Sequence, residues 1–196
     1  RGQEHDAWES DGGNKPEHQT VCPFIRGLAG PMDYTFGTFD FSNPNTPTSR
    51  VKTTISKQLA QYVVIYSPLQ MASDLYEAYE GVQAFDFIED VPTDWEQTKV
   101  IDAVIGDYIV TARQRRGGED WYLGAITDEN ARGLDIPLSF LGKGKWQAQI
   151  YEDTPQTSYE NSPQTYQYVE KDVDARDTLH LNLATSGGCA IRFIKK

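Results

Sequence analysis

The sequence predicts an α/β segment followed by an all-β domain: the last units of a (β/α)8 TIM barrel over residues 1–90, then an antiparallel β-sandwich over residues 91–196. Three observations carry this. Apolar residues recur at helical spacing in two early segments, with one short strand between them. After about residue 96 the apolar period shortens to two, in short runs broken by turn residues. A lone strand cannot form a sheet, so the early pieces read as the closing units of a barrel whose other strands lie upstream of Arg1.

Pro16 suits a first helical turn, with acidic Glu17 beside it, and Val21, Phe24, Ile25 and Leu28 then follow a helical period until Gly30 and Pro31 stop it. The short segment GPMDYT reads as a strand. The loop FGTFDFSNPNTPTSR that follows is long for a connection, which marks it as functional or mobile. In TTISKQLAQYVVIYS, residues Ile55, Leu59, Tyr62, Val63 and Tyr66 share one face, as in an amphipathic helix packed on a core. Ser67 is placed to cap a further helix over PLQMASDLYEAYEG, with Gly81 as its stop. The later runs KVIDAVIG, YIVTARQR, DWYLGAIT, LDIPLSF, WQAQIYED, TYQYVEK, TLHLNLA and CAIRFIK are separated by GD, GG, DEN, GKGK and SGG, the pattern of an antiparallel sandwich or barrel.

A net charge of −11 argues against nucleic acid or an anionic membrane as partner, because phosphate would be repelled and no basic run overrides the repulsion. No window approaches the roughly 20 apolar residues of a membrane span. Cys22 and Cys189 lack C-x-x-C spacing and read as two buried free thiols rather than a disulfide or a zinc site.

The opening RGQEHDAWESDGGNKPEHQT gathers Glu4, His5, Asp6, Glu9, Asp11, Glu17 and His18. His5 and His18 stand too far apart for the one-turn spacing of H-E-x-x-H. No G-x-S-x-G or phosphate-cradling glycine loop is present. Carboxylate chemistry remains: glycoside hydrolysis needs one protonated carboxyl group to donate to the leaving oxygen and one ionised group to activate water or attack carbon. Glu4, with Trp8 as an apolar wall, fits that outline, and a solvated loop glutamate is its alternative.

RGQEHDAW, then PEHQTVCPFIRGLAGPMDYT, then QLAQYVVIYSPLQMASDLYEAY, and on through FIEDVPTDWEQTKV to LDIPLSFL, together resemble the C-terminal part of glycoside hydrolase family 97 over nearly the whole chain. The resemblance implies a calcium-dependent α-glucosidase or related α-galactosidase of bacterial glycan use. In it an N-terminal β-sandwich precedes the (β/α)8 barrel and the C-terminal β domain. GPMDYT would be the last barrel strand, QLAQYVVIYS the helix outside it, and the loop at 36–50 part of the active-site face. Glu4 aligns with the glutamate of the family's RG-x-E motif, which implies the general acid of the glucosidase branch. The partner carboxylate and the calcium ligands would precede Arg1. Phe36 stands where relatives commonly have Pro, a departure at the expected rim of the site. An oligosaccharide substrate, a homo-oligomer as an option and a periplasmic or cell-surface location are also implied. The expected function is exo-hydrolysis of terminal α-glucosyl residues with inversion. Its alternatives are an α-galactosidase acting with retention and a non-catalytic carbohydrate-binding module.

Glu17 and His18 also match the family, but a helix start favoured by an acid at its positive end is the preferred account of them. Asp33 is placed either to bind a sugar hydroxyl or to tie down the following loop. Trp95, Trp121 and Trp146 read as core rather than as a sugar-stacking platform, and His180 as an ordinary strand residue.

Overall fold

Glycine at two positions decides how the parts of this chain meet. The computed structural model describes residues 14–41 and 51–196. Among the described residues three α-helices precede the sheet: α1 (His18–Ile25), α2 (Ile55–Val64) and α3 (Phe85–Asp90). Eight strands follow: β1 (Trp95–Val104), β2 (Tyr108–Arg115), β3 (Trp121–Thr127), β4 (Arg132–Pro137), β5 (Lys145–Glu152), β6 (Gln167–Asp174), β7 (Thr178–Leu183) and β8 (Gly188–Lys195). Six form one sheet in the order β1-β2-β3-β8-β5-β6, and β4 with β7 forms a two-stranded ribbon. All these pairings are antiparallel.

The ribbon covers one face of the large sheet and α2 covers the other. Trp121, Leu123 and Ala125 of β3 pack with Ile136, Leu179 and Leu181 from the ribbon side. Tyr122 and Ile126 of the same strand pack with Leu59, Tyr62 and Val63 of α2. All seven residues of β3 are therefore buried, where a one-sided sandwich strand would alternate.

Helix α2 lies against β3 and β8 because neither Gly124 nor Gly188 carries a side chain. A Cβ on Gly124 would stand 2.4 Å from the Ala60 carbonyl oxygen, and one on Gly188 would stand 2.6 Å from the Lys57 Cα. Every residue of α2 is buried, so its polar groups are met by partners. Thr54 caps its start, accepting from the Lys57 amide at 3.2 Å. At its end, the guanidinium of Arg113 on β2 donates to the Val63 carbonyl at 2.6 Å, filling an acceptor the helix leaves open. The buried Lys57 ammonium donates to the carbonyls of Thr127 and Pro16 and to the Ser186 hydroxyl, at 2.8, 3.1 and 3.1 Å.

Three expectations need correction. The helix over PLQMASDLYEAYEG does not form: apart from a 3-10 turn at Tyr76–Ala78, the segment is irregular. Its backbone is engaged elsewhere, with Tyr62 Oη donating to the Met71 carbonyl and the Ser73 amide to the Phe36 carbonyl. Ser67 does not cap a helix but donates to the Leu69 carbonyl. Leu69, Leu75 and Tyr76 stay exposed, so the apolar pattern has no core to face. The six-residue α3 was not anticipated; it is anchored by Phe87, which meets Tyr122 and Tyr151 edge-on.

Nor does GPMDYT form a strand among the described residues. GPMDYT and the following Phe36 run extended, with Met32, Tyr34 and Phe36 buried, but the segment pairs only through one parallel bridge, Phe36 to Ala72. No described residue supplies this segment with a strand ladder. Both cysteines are buried free thiols.

Candidate functional site

Where the extended segment ends, four side chains from distant parts of the chain fix residues 37–40. Gln58 on α2 accepts from the amides of Gly37 and Thr38 at 2.9 and 3.2 Å. Asp74 Oδ2 accepts from the amides of Phe39 and Asp40 at 2.5 and 2.8 Å. Tyr79 donates to the Gly37 carbonyl at 2.7 Å and accepts from the Asp74 amide at 2.8 Å. Gln164, from the loop between β5 and β6, donates to the Phe39 carbonyl at 2.8 Å. Gly37 has φ +88°, and a Cβ there would lie 2.6 Å from Tyr62 Oη, so only glycine fits.

Phe39, Asp40, Asp74, Glu77 and Gln164 line a cleft of about 530 Å³ beside this anchored segment. Burial raises the Asp74 carboxyl above its usual range, and the two backbone amides pull it back down. Asp74 therefore serves as an acceptor that pins backbone. The arrangement fixes the backbone of residues 37–40 rather than presenting a reactive group of its own.

A second cleft, of about 670 Å³, opens where β5 ends, beside Arg132, Glu152, Asp153 and Asn182. Asp153 Oδ2 accepts from the amides of Ala184 and Gly188 at 3.0 and 2.8 Å. The Thr54 and Ser56 hydroxyls lie close enough to offset part of the burial, while Oδ1 makes no hydrogen bond of full geometry. Burial dominates and pushes this carboxyl up to about 6.

Among the residues singled out from sequence, Glu4 falls outside the described residues. Glu17 stands at the start of α1 and makes no side-chain cap there. His18 Nε2 lies 3.5 Å from Cys22 Sγ, one helical turn away. Asp33 is exposed. Trp95, Trp121 and Trp146 are only 7, 4 and 2% exposed, which makes them core, so these three form no aromatic platform. His180 on β7 sits opposite Asp135 of β4 and hydrogen-bonds it at 2.7 Å, which raises its pKa. Phe36 is fully buried, stacked on Tyr34 and tilted against Tyr62, so the departure expected at the rim sits in the core instead.

The anchoring cluster of Gln58, Asp74, Tyr79 and Gln164 was missed. It has no sequence signal, because its members come from segments with no common spacing. Among the described residues no three His, Cys, Asp or Glu side chains converge as metal ligands, so these residues do not fit a calcium site. No described helix is long and apolar enough to cross a membrane.

Comparison with known proteins adds the following. A family model described as the glycosyl hydrolase 97 C-terminal, oligomerisation domain matches residues 94–194. A retaining alpha-galactosidase of Bacteroides thetaiotaomicron is 32% identical over 202 aligned residues, covering 97% of this chain and 29% of that protein. A glycoside hydrolase family 97 enzyme from Pseudoalteromonas sp. strain K8, solved in complex with panose, superimposes with a TM-score of 0.95 at 48% identity, over 100% of this chain and 31% of its own. The same enzyme in complex with acarbose gives a TM-score of 0.95 at 49% identity, with the same coverage.

Proposed function

Because the chain belongs to glycoside hydrolase family 97, as its C-terminal part, we propose that it forms the end of an exo-acting α-glycosidase that removes terminal α-glucosyl residues from oligosaccharides. The observation that carries this reading is the 48–49% identity, across the whole chain, to an enzyme that has been solved with panose and with acarbose. The chain spans about 31% of that enzyme's length. The catalytic reading therefore concerns the whole protein, and the chain alone is expected to be inactive.

In this reading residues 1–90 belong to the catalytic barrel and residues 91–196 form the accessory β domain. Glu4, kept neutral, protonates the glycosidic oxygen as the bond breaks. A carboxylate outside the chain activates water on the opposite face of the sugar, which inverts the anomeric centre and requires the two groups to stand roughly 6.5–9.5 Å apart. Calcium, held by glutamates outside the chain, would supply charge stabilisation there. The anchored segment Gly37–Asp40 holds the start of the loop on the active-site side. A periplasmic or cell-surface location and self-association through the β domain complete the proposal. The description of the family model over 94–194 as an oligomerisation domain supports the last point.

The 32% identical retaining alpha-galactosidase favours a second reading, α-galactoside hydrolysis with retention through a nucleophile and a carboxyl pair only about 5–5.5 Å apart. Proton NMR of the first product formed by the whole protein, from matched α-glucoside and α-galactoside substrates, separates the two. β-Glucose as the first product supports the proposal. α-Galactose, with the glucoside untouched, replaces it with the second reading.

A further inference from the structure

The large sheet ends in two unlike edges. The outer strand β6 reads QYVEKDVD, three carboxylates against one lysine, so two copies of it repel each other. The opposite edge, β1, is ten residues long, and its second half carries one acid in VIDAV. Of the four large apolar side chains exposed among the described residues after Trp95, three lie at this edge: Val100, Val104 and Ile105, exposed by 57, 46 and 63%. A long apolar edge is a template for another strand.

We propose that β1 pairs antiparallel with β1 of a second copy of this chain, about a two-fold axis between Val100 and Ile101, joining two six-stranded sheets into one. This rests on the self-association reading above and names its surface. The strand is self-complementary in that register, because Lys99 of each copy stands opposite Asp102 of the other. Both side chains point to the same face: a bulge between Val100 and Asp102 sets Lys99 opposite Ala112 and Asp102 opposite Val110. Ala112 and Val110 both line the ribbon-side core. A bulge ordinarily spoils an edge, but here it falls on the axis, where Val100 and Ile101 of one copy meet Ile101 and Val100 of the other. The segment from Gln97 to Ile105 carries no net charge, so the paired edges themselves add no repulsion to that between two chains of net charge −11. The matched family model begins at Asp94, one residue before this strand.

Sedimentation of the whole protein, as wild type, Lys99→Asp and the charge swap Lys99→Asp with Asp102→Lys, tests the proposal. Circular dichroism and melting temperature report whether each variant folds. Folded Lys99→Asp is expected to weaken the dimer roughly tenfold, and the swap to restore it. A third variant, Val100→Lys, should weaken the dimer without repair by the swap. A monomeric wild type overturns both this edge and the self-association reading. An oligomer that none of the variants disturbs overturns the edge alone, and a loss that the swap does not repair overturns the register.

Discussion

In the β domain each strand finds its hydrogen-bonding partner within residues 95–195, whereas the residues before Trp95 borrow much of their support from it. Helix α2 is closed at its end by Arg113 and tied by Lys57 to Thr127 and Ser186. Helix α1 is fastened by Thr20, whose hydroxyl donates to the Gly106 carbonyl in the turn between β1 and β2. The sheet thus behaves as a scaffold with its own ladders, and the earlier part as a layer held in place by contacts with it. A protein built this way tolerates change on the outer surface of that layer and resists change where α2 touches the sheet.

The largest effect is expected at that contact. Gly188→Val places a side chain 2.6 Å from the Lys57 Cα and 2.8 Å from the Ala125 carbonyl oxygen, both backbone atoms that cannot step aside. Chemical denaturation should show a loss above about 3 kcal/mol. Gly117→Ala, in a turn with φ +70° and open space around it, should cost only about 1 kcal/mol. Similar losses at the two positions would mean that α2 does not rest on β8 as described.

Next comes Asp153, which braces the end of β5 near the start of α2. Its carboxyl, pushed up to about 6 from the ordinary 3.8, binds its proton more tightly in the folded chain than in the unfolded one. Its contribution to stability is therefore complete below about pH 4 and is lost as the pH rises through 6, a swing of about 3 kcal/mol. Asp153→Asn keeps an acceptor for the Ala184 and Gly188 amides and should remove that part of the pH dependence. The variant should match or exceed wild type at pH 7 and lose this advantage at pH 4. An unchanged pH profile would show that Asp153 is ionised and satisfied in the fold. The smallest effect is expected at Tyr79→Phe, which removes the bond to the Gly37 carbonyl and should cost about 1 kcal/mol of stability. Amide exchange localised to residues 37–40 is the readout, and uniform exchange across the sheet would contradict a local role.

Legibility in the sequence follows the same division. The eight strands were readable because turn residues bound each of them, even in β3, whose burial on both faces erased the alternation. Helix α2 was readable from its period, although its burial on every side was not. Residues 68–81 misled because their apolar positions imitate a helix while Tyr62, Ser67 and Phe36 engage the backbone locally. The cluster around Gly37 was invisible, since residues near 37, 58, 74–79 and 164 meet only once the chain has folded. Glu4 drew its role from the family motif, and no local physical signal separated it from a solvated loop acid.

The most direct test of the account compares Glu4→Ala with wild type in the whole protein, on an α-glucosyl disaccharide and on an aryl α-glucoside whose leaving group departs without protonation. Collapse of the disaccharide rate with the activated substrate largely spared is the predicted result, because only the natural leaving group needs the acid. Equal rates for variant and wild type on both substrates would contradict it and remove Glu4 from the reaction.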